Sequence, residues 1–339
     1  MPSKTLAKVI RGETVESVHR GSFIILDGDG AAGASAGDPR MMTFFRSAAK
    51  PLQAIPLITS GAADAFGFSE EEIALACASH SGESRHVRIV ELMLGRLDLT
   101  EAHLRCGAHL PFFEKEAERM QRAGEYPTQL HNNCSGKHAG MLAVAKHVGA
   151  PISSYESPDN PVQEEILGTV ETMTGVPSKK IGLGVDGCAA PIFAVPLEAM
   201  ARSFLNLVSP PDHFEPRLKT ACARIVSAMS KFPELIGGSE RLDTMLMQAA
   251  EGRIISKVGA EGVWLCGVLP SDKHPSGLAI ALKIEDGDDR RARPVAAVAI
   301  LKQLGLVADE SLSVLSPMLL KNRRGDVVGS VAPMIDLAA

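Results

Sequence analysis

The stretch RIISKVGAEGVWLCGVL, Arg253 to Leu269, decides the fold. Two runs rich in Val, Ile and Leu, Arg253–Ser256 and Gly262–Leu269, flank a glycine-marked break, and a third run, Leu278–Ile284, follows. Short apolar runs bounded by turn residues read as strands. Beyond them a helical pattern spans about 290–304, and a hairpin is predicted around Arg324–Gly325. At the other chain end, Ser22–Asp27 and Met41–Phe45 are again short apolar runs. The centre reads as helix. Ser69 with Glu72 matches a capping box. Asn160–Pro161 places an N-cap before a proline at the first helical position, and Gly175 stops that segment. Residues 213–232 and 240–250 carry helical periodicity. The reading is an α+β fold: a mixed or antiparallel sheet built from both chain ends (strands at about 6–45 and 253–335), flanked by helices, with a helical centre at about 50–250. No Pro/Gly/Ser-rich break divides the chain, so residues 1–339 are expected to form a single two-lobed unit.

Composition narrows the class. The chain has 339 residues, 45% hydrophobic and 22% charged, which is an ordinary globular mix. A net charge of −5 gives no basic excess for phosphates, and 4% aromatics give few stacking platforms, so nucleic acid is excluded as a partner. The six cysteines never fall at C-x-x-C spacing, which excludes zinc ribbons and thioredoxin motifs. The first twenty residues lack an apolar signal core, and no run reaches the roughly 20 apolar residues of a membrane span. A cytoplasmic protein with reduced thiols and no membrane partner is expected.

One glycine-rich decoy and five segments that crowd reactive side chains stand out. Gly28–Gly33 matches G-x-G-x-x-G, but turn residues and another strand follow it instead of a helix, so it reads as a hairpin loop. In Arg46–Pro51, Ser47 and Lys50 form an S-x-x-K pair. On a helix i and i+3 share a face, and a neutral lysine could take the serine proton. Chance alone supplies such a spacing in a chain of this length, and Pro51 disfavours helical angles at Lys50. Ser79-His80-Ser81-Gly82-Glu83 suits either a site loop or the cap of the next helix. His131–Gly140 gathers Asn, Cys, Ser, Lys and His ahead of a helix over Ala139–Val148, whose N-terminus would favour a thiolate at Cys134. Asp186-Gly187-Cys188 ends a strand; Cys134 and Cys188 read as two soft metal ligands or as buried thiols. Lys257 stands between two strand segments, and Gly259 either admits a ligand or makes the hairpin turn.

Together and in order, FFRSAAKPLQ, ASHSGE, NNCSGKHAGM, GVDGCAAP and SKVGAEGV resemble the marks of the Rhizobium etli-type L-asparaginases, most closely their shorter constitutive members, over about residues 6–335. The resemblance implies a β-lactamase-like fold shared with serine-dependent glutaminases, a homodimer, and hydrolysis of L-asparagine to L-aspartate and ammonia. It implies two Ser-Lys pairs, Ser47 with Lys50 and Ser79 with Lys257. It places Arg46 and Asp186 at the substrate, with His138 close by, and makes Cys134, Lys137 and Cys188 ligands of a zinc ion that assists substrate binding. Ser47 is expected as the nucleophile and Lys50 as its base, with Arg46 on the substrate carboxylate and Asp186 on its ammonium. The alternative is a serine-dependent glutaminase or a penicillin-recognising hydrolase on the same fold. Ser79-His80-Ser81 stands where the β-lactamase pattern has Ser-x-Asn, and Lys257-Val258-Gly259 where it has Lys-Thr-Gly, which argues against penicillin.

Overall fold

The computed structural model describes residues 2–308, 310 and 312–337. Eleven strands are found among them: β1 (Lys4–Arg11), β2 (Thr14–Leu26), β3 (Ala32–Ala36), β4 (Met42–Phe44), β5 (Gly182–Val185), β6 (Pro191–Pro196), β7 (Ile254–Gly259), β8 (Val263–Val268), β9 (Leu278–Ile284), β10 (Met318–Lys321) and β11 (Val327–Pro333). The chain divides into two compact units. One comprises Met1–Ala48, Val195–Leu205 and Met245–Ala339, the other Ala49–Ala194 and Asn206–Thr244.

The first unit holds the sheet read from the two chain ends. Its order is β10-β11-β1-β2-β9-β8-β7, with β3 also paired to β2. The pairings are antiparallel, and Phe23 stands opposite Leu282 where the N-terminal strands meet the C-terminal ones. Strands β7, β8 and β9 are buried along their whole length, which explains why they read as continuous apolar runs without alternation. The helix Ala292–Gln303 packs on this sheet, buried from Ala292 to Leu301. The Gly28–Gly33 loop is a turn leading into β3, and no helix opens there.

Two boundaries differ from the sequence reading. Strand β7 runs on to Gly259, so Lys257 lies inside a strand, and the turn falls at Ala260–Gly262. Gly259 is there for close approach: a Cβ on it would stand 2.3 Å from the Phe45 carbonyl. The helix expected at Ala139–Val148 begins at Ser135 with Cys134 as its N-cap, so Lys137 and His138 sit in its first turn.

The second unit is mainly helical, with the β5–β6 hairpin in which Leu183 opposes Phe193. Local chemistry sets its helix ends. Ser69 and Glu72 form the reciprocal capping box of Glu70–Ala76, and Asn160 caps Pro161–Thr174, which Gly175 ends at φ 71°. Such caps contribute about 1 kcal/mol each. The helix Ser135–Val148 is buried from Ser135 to Ala145 and lies against Glu70–Ala76 so closely that a Cβ on Gly136 would stand 2.3 Å from the Leu75 carbonyl. No helix among the described residues is long and apolar enough to cross a membrane.

Candidate active site

In the second unit, Lys50 opens the helix Lys50–Gln53 directly after the 3-10 turn Arg46–Ala49. Pro51 falls in the first helical turn, where its missing N–H leaves no bond unmade. Lys50 is 1% exposed, and its amine donates to the Ala78 carbonyl at 2.7 Å, the Asn133 carbonyl at 3.1 Å and Ser79 Oγ at 2.9 Å. Two of these partners are carbonyls and can only accept. A neutral amine keeps both and turns its lone pair to the Ser79 hydroxyl, so the arrangement can carry a proton between Lys50 and Ser79.

The loop bearing Ser79 is fastened from three sides. The Ser79 N–H donates to the Ile236 carbonyl at 2.9 Å, and Ser81 Oγ donates to the Gly237 carbonyl at 2.8 Å. Glu83 accepts from the Ser239 N–H at 2.6 Å and from Arg85. His80 is fully buried and takes the Gly82 N–H on Nδ1 at 3.1 Å, so Nε2 carries the proton and donates to Ser135 Oγ at 2.9 Å. Burial holds His80 well below the usual histidine range. A neutral imidazole therefore ties the Ser79 loop to the helix that begins at Ser135.

That helix carries a second cluster. Lys137 Nζ donates to Cys188 Sγ at 3.1 Å, and both residues are buried. The hydrogen bond from Cys134 and the Lys137 charge pull the Cys188 thiol far down, against the opposing effect of burial. The same Cys188 partner, together with burial, pushes Cys134 well up. Burial alone would lower Lys137, but the Cys188 and Cys134 sulfurs raise it, with a contribution from Asp186. The cluster reads as a Cys188 thiolate held by the Lys137 ammonium and the Cys134 S–H. His138 is fully buried with its Nδ1 2.6 Å from the Tyr155 hydroxyl, and it too helps to lower the Cys188 thiol. Cys188 is positioned by the turn after β5, where Asp186 donates its N–H to the Ala190 carbonyl and accepts the Gly187 N–H. Among the described residues no group of three or more His, Cys, Asp or Glu side chains gathers as a metal site. A metal here would rest on two sulfurs and the Lys137 amine.

In the first unit, Ser47 is half-buried on the turn that opens at Arg46, whose φ is 50°. Arg46 Nη1 lies 3.9 Å from Glu261 Oε1, a loose pair on the β7–β8 turn. Lys257 is fully buried and donates to the Val258 carbonyl at 3.1 Å. Arg293 donates to the Gly259 carbonyl at 2.6 Å, and Asp289, its ion-pair partner, accepts the Gly262 N–H at 2.8 Å. Thus Phe45, which precedes Arg46 and Ser47, and the strand bearing Lys257 meet through Gly259.

Of the residues singled out from sequence, Lys50 and Ser79 come together, as do Cys134, Lys137, Cys188 and His138. Within the second unit, the Lys50 amine reaches the Ser79 hydroxyl. Asn133 and Glu83 fell inside segments singled out from sequence, whereas His109, Tyr155 and Ser239 escaped that reading, because their contacts join residues far apart in the chain and leave no spacing pattern.

A buried lysine amine on a serine hydroxyl can carry a proton between the two groups. Over residues 7–333 the sequence matches the family profile described as L-asparaginase II, and the chain belongs to that family of amidohydrolases. A comparison with curated protein sequences finds no match. Among solved structures, it is similar to a probable glutaminase from Bacillus subtilis complexed with 6-diazo-5-oxo-L-norleucine, with 13% identity over 87% of this chain and 88% of that one, at a TM-score of 0.44. It is also similar to a Bacillus subtilis glutaminase in covalent complex with 5-oxo-L-norleucine, with 15% identity over 85% and 89% of the two chains, at a TM-score of 0.43.

Proposed function

We propose that this chain hydrolyses the side-chain amide of L-asparagine to L-aspartate and ammonia by way of a seryl ester. The observation that carries the reading is the buried Lys50 amine set on the Ser79 hydroxyl between two carbonyls, in a chain of the L-asparaginase II family. Ser47, three residues before Lys50, is the nucleophile. Its proton passes to Lys50 as Oγ attacks the amide carbon. The C–N bond then breaks, and the proton returns through Lys50 and Ser79 to the departing ammonia. Water cleaves the ester by the reverse use of the same groups. Lys257 supplies the second buried amine. Arg46 takes the substrate carboxylate and Asp186 its ammonium.

Cys134, Lys137 and Cys188 fit a zinc ion: two soft sulfurs and an amine share one buried spot, beside the buried His138 that also bears on Cys188. Such an ion would supply positive charge near Asp186 for substrate binding. Holding it requires Lys137 to shed the proton that Cys188 now favours, so zinc affinity should rise with pH.

The test is ammonia release from L-asparagine and L-glutamine by the protein and its Ser47→Ala and Ser79→Ala variants. Release from asparagine that is abolished by Ser47→Ala supports the assignment. Release that survives in Ser47→Ala and vanishes in Ser79→Ala moves the nucleophile. Preference for glutamine overturns the substrate.

A further inference from the structure

We infer that Asn132 is a positioning residue for the Lys50 amine, acting through the peptide that joins Asn133 to Cys134; the inference rests on the role proposed for Lys50. The two carbonyls that hold the amine belong to the Ala78–Ser79 and Asn133–Cys134 peptides. A peptide unit is planar and trans, so its N–H and C=O point in opposite directions, and whatever holds the one aims the other. The Ser79 N–H is held by backbone, the Ile236 carbonyl at 2.9 Å. The Cys134 N–H is held by a side chain: it donates to Asn132 Oδ1 at 2.8 Å. Asn132 is 5% exposed, and its Nδ2 donates to the Cys106 carbonyl at 2.8 Å and to the Gly107 carbonyl at 3.0 Å. Carbonyls can only accept and an N–H can only donate, so the amide has one orientation, with Nδ2 on the two carbonyls and Oδ1 on Cys134.

The neighbouring bonds do not aim this peptide. The Ser135 N–H donates to the Asn132 carbonyl at 2.9 Å and the His138 N–H to the Cys134 carbonyl at 3.0 Å, which uses the peptides on either side. The aim matters because a neutral amine has two N–H groups and one lone pair. With both carbonyls in place the N–H groups are spent on them, and the lone pair falls to the Ser79 hydroxyl. The amine can then take the hydroxyl proton, becoming an ammonium as the serine oxygen becomes the anion. With the Asn133 carbonyl turned away, the second N–H goes to Ser79 Oγ instead. The amine then donates to the serine and has no lone pair set on its proton. Oδ1 of Asn132 thus decides the direction of the Lys50–Ser79 hydrogen bond.

The experiment compares Asn132→Ala, which removes the acceptor, with Asn132→Ser, whose Oγ can accept the N–H two residues on. Both lose the bonds to the Cys106 and Gly107 carbonyls, so a merely structural role impairs both alike. Asn132→Leu, close to asparagine in shape and also without the acceptor, takes the place of Asn132→Ala should that variant not melt cooperatively. Steady-state hydrolysis is measured beside the 15N resonance of the Lys50 amine, assigned by its loss in Lys50→Met. The expected result is a kcat lower by at least about tenfold in Asn132→Ala with KM within about twofold, and recovery in Asn132→Ser to within about threefold of the parent. The Lys50 resonance should move in Asn132→Ala and return toward its parent position in Asn132→Ser. A resonance that stays put in Asn132→Ala overturns the inference whatever the rates do, as does equal impairment of the two variants. Should the parent hydrolyse neither amide, the proposed function fails, and the Lys50 resonance alone decides whether Asn132 sets the amine.

Discussion

Two buried lysines in the same unit stand in contrasting surroundings. Lys50 gives its three hydrogen bonds to two carbonyls and a hydroxyl, none of which carries a charge. Lys137 meets sulfur: Cys188 Sγ at 3.1 Å, with the pair of cysteines raising its affinity for its proton. Both sit at helix starts, so position in the element does not separate them. Their partners do. An amine among dipoles can lend and recover a proton, whereas an amine beside a thiolate is held as its counter-ion. The first environment suits proton transfer, the second electrostatic binding or metal capture.

The sharpest way to break this contrast is to remove each amine in turn. Lys50→Met should lower kcat by about 10³-fold, in the range ascribed to a positioned acid–base group, while cooperative melting persists. A loss below tenfold would take proton transfer away from Lys50. Lys137→Met should act more on stability and KM than on turnover. It strips the Cys188 thiolate of its countercharge, and the thiol can recover by taking up a proton, so denaturant unfolding should show a loss of about 1–3 kcal/mol. A kcat loss as large as that of Lys50→Met would erase the distinction between the two sites.

This contrast was only half legible in the sequence. Ser69–Glu72 and Asn160–Pro161 with Gly175 declared their helix ends, because capping is a bargain between residues three or so apart. The sheet from both chain ends was legible for a similar reason: buried strands leave unbroken apolar runs. The start of the helix at Ser135 was not, since Asn132, Asn133 and Cys134 look like a polar loop, and only the backbone shows Cys134 as the cap. Nor could spacing reveal that Lys50 bonds Ser79. The two are 29 residues apart, and the contact depends on where the loop bearing Ser79 is fastened. His109 is more remote still, because a lone histidine in a loop carries no periodicity.

Acid offers the finest separation of the two regions, because a stacked pair of buried histidines backs only one of them. His86 stacks on His80 at 5.0 Å behind the Ser79 loop; it accepts the Glu83 N–H on Nδ1 at 3.1 Å, and Nε2 faces the Glu234 carbonyl. Burial lowers its pKa from 6.5 to about 4. The unfolded chain therefore binds a proton that the folded chain refuses across that window. The support from neutral His86 is complete above pH 6.5 and drains as pH falls toward 4, with a slope of at most about 1.4 kcal/mol per pH unit. His86→Asn keeps an acceptor for the Glu83 N–H and removes the titration. Between pH 7 and 5, above the range where the Glu83 carboxylate takes up its proton, the variant should lose stability with a shallower slope than the parent. Chemical denaturation at three or four pH values measures it. Identical slopes would mean that the fold admits the proton at His86 after all, and that the Ser79 loop is no more sensitive to acid than the sulfur cluster beside it.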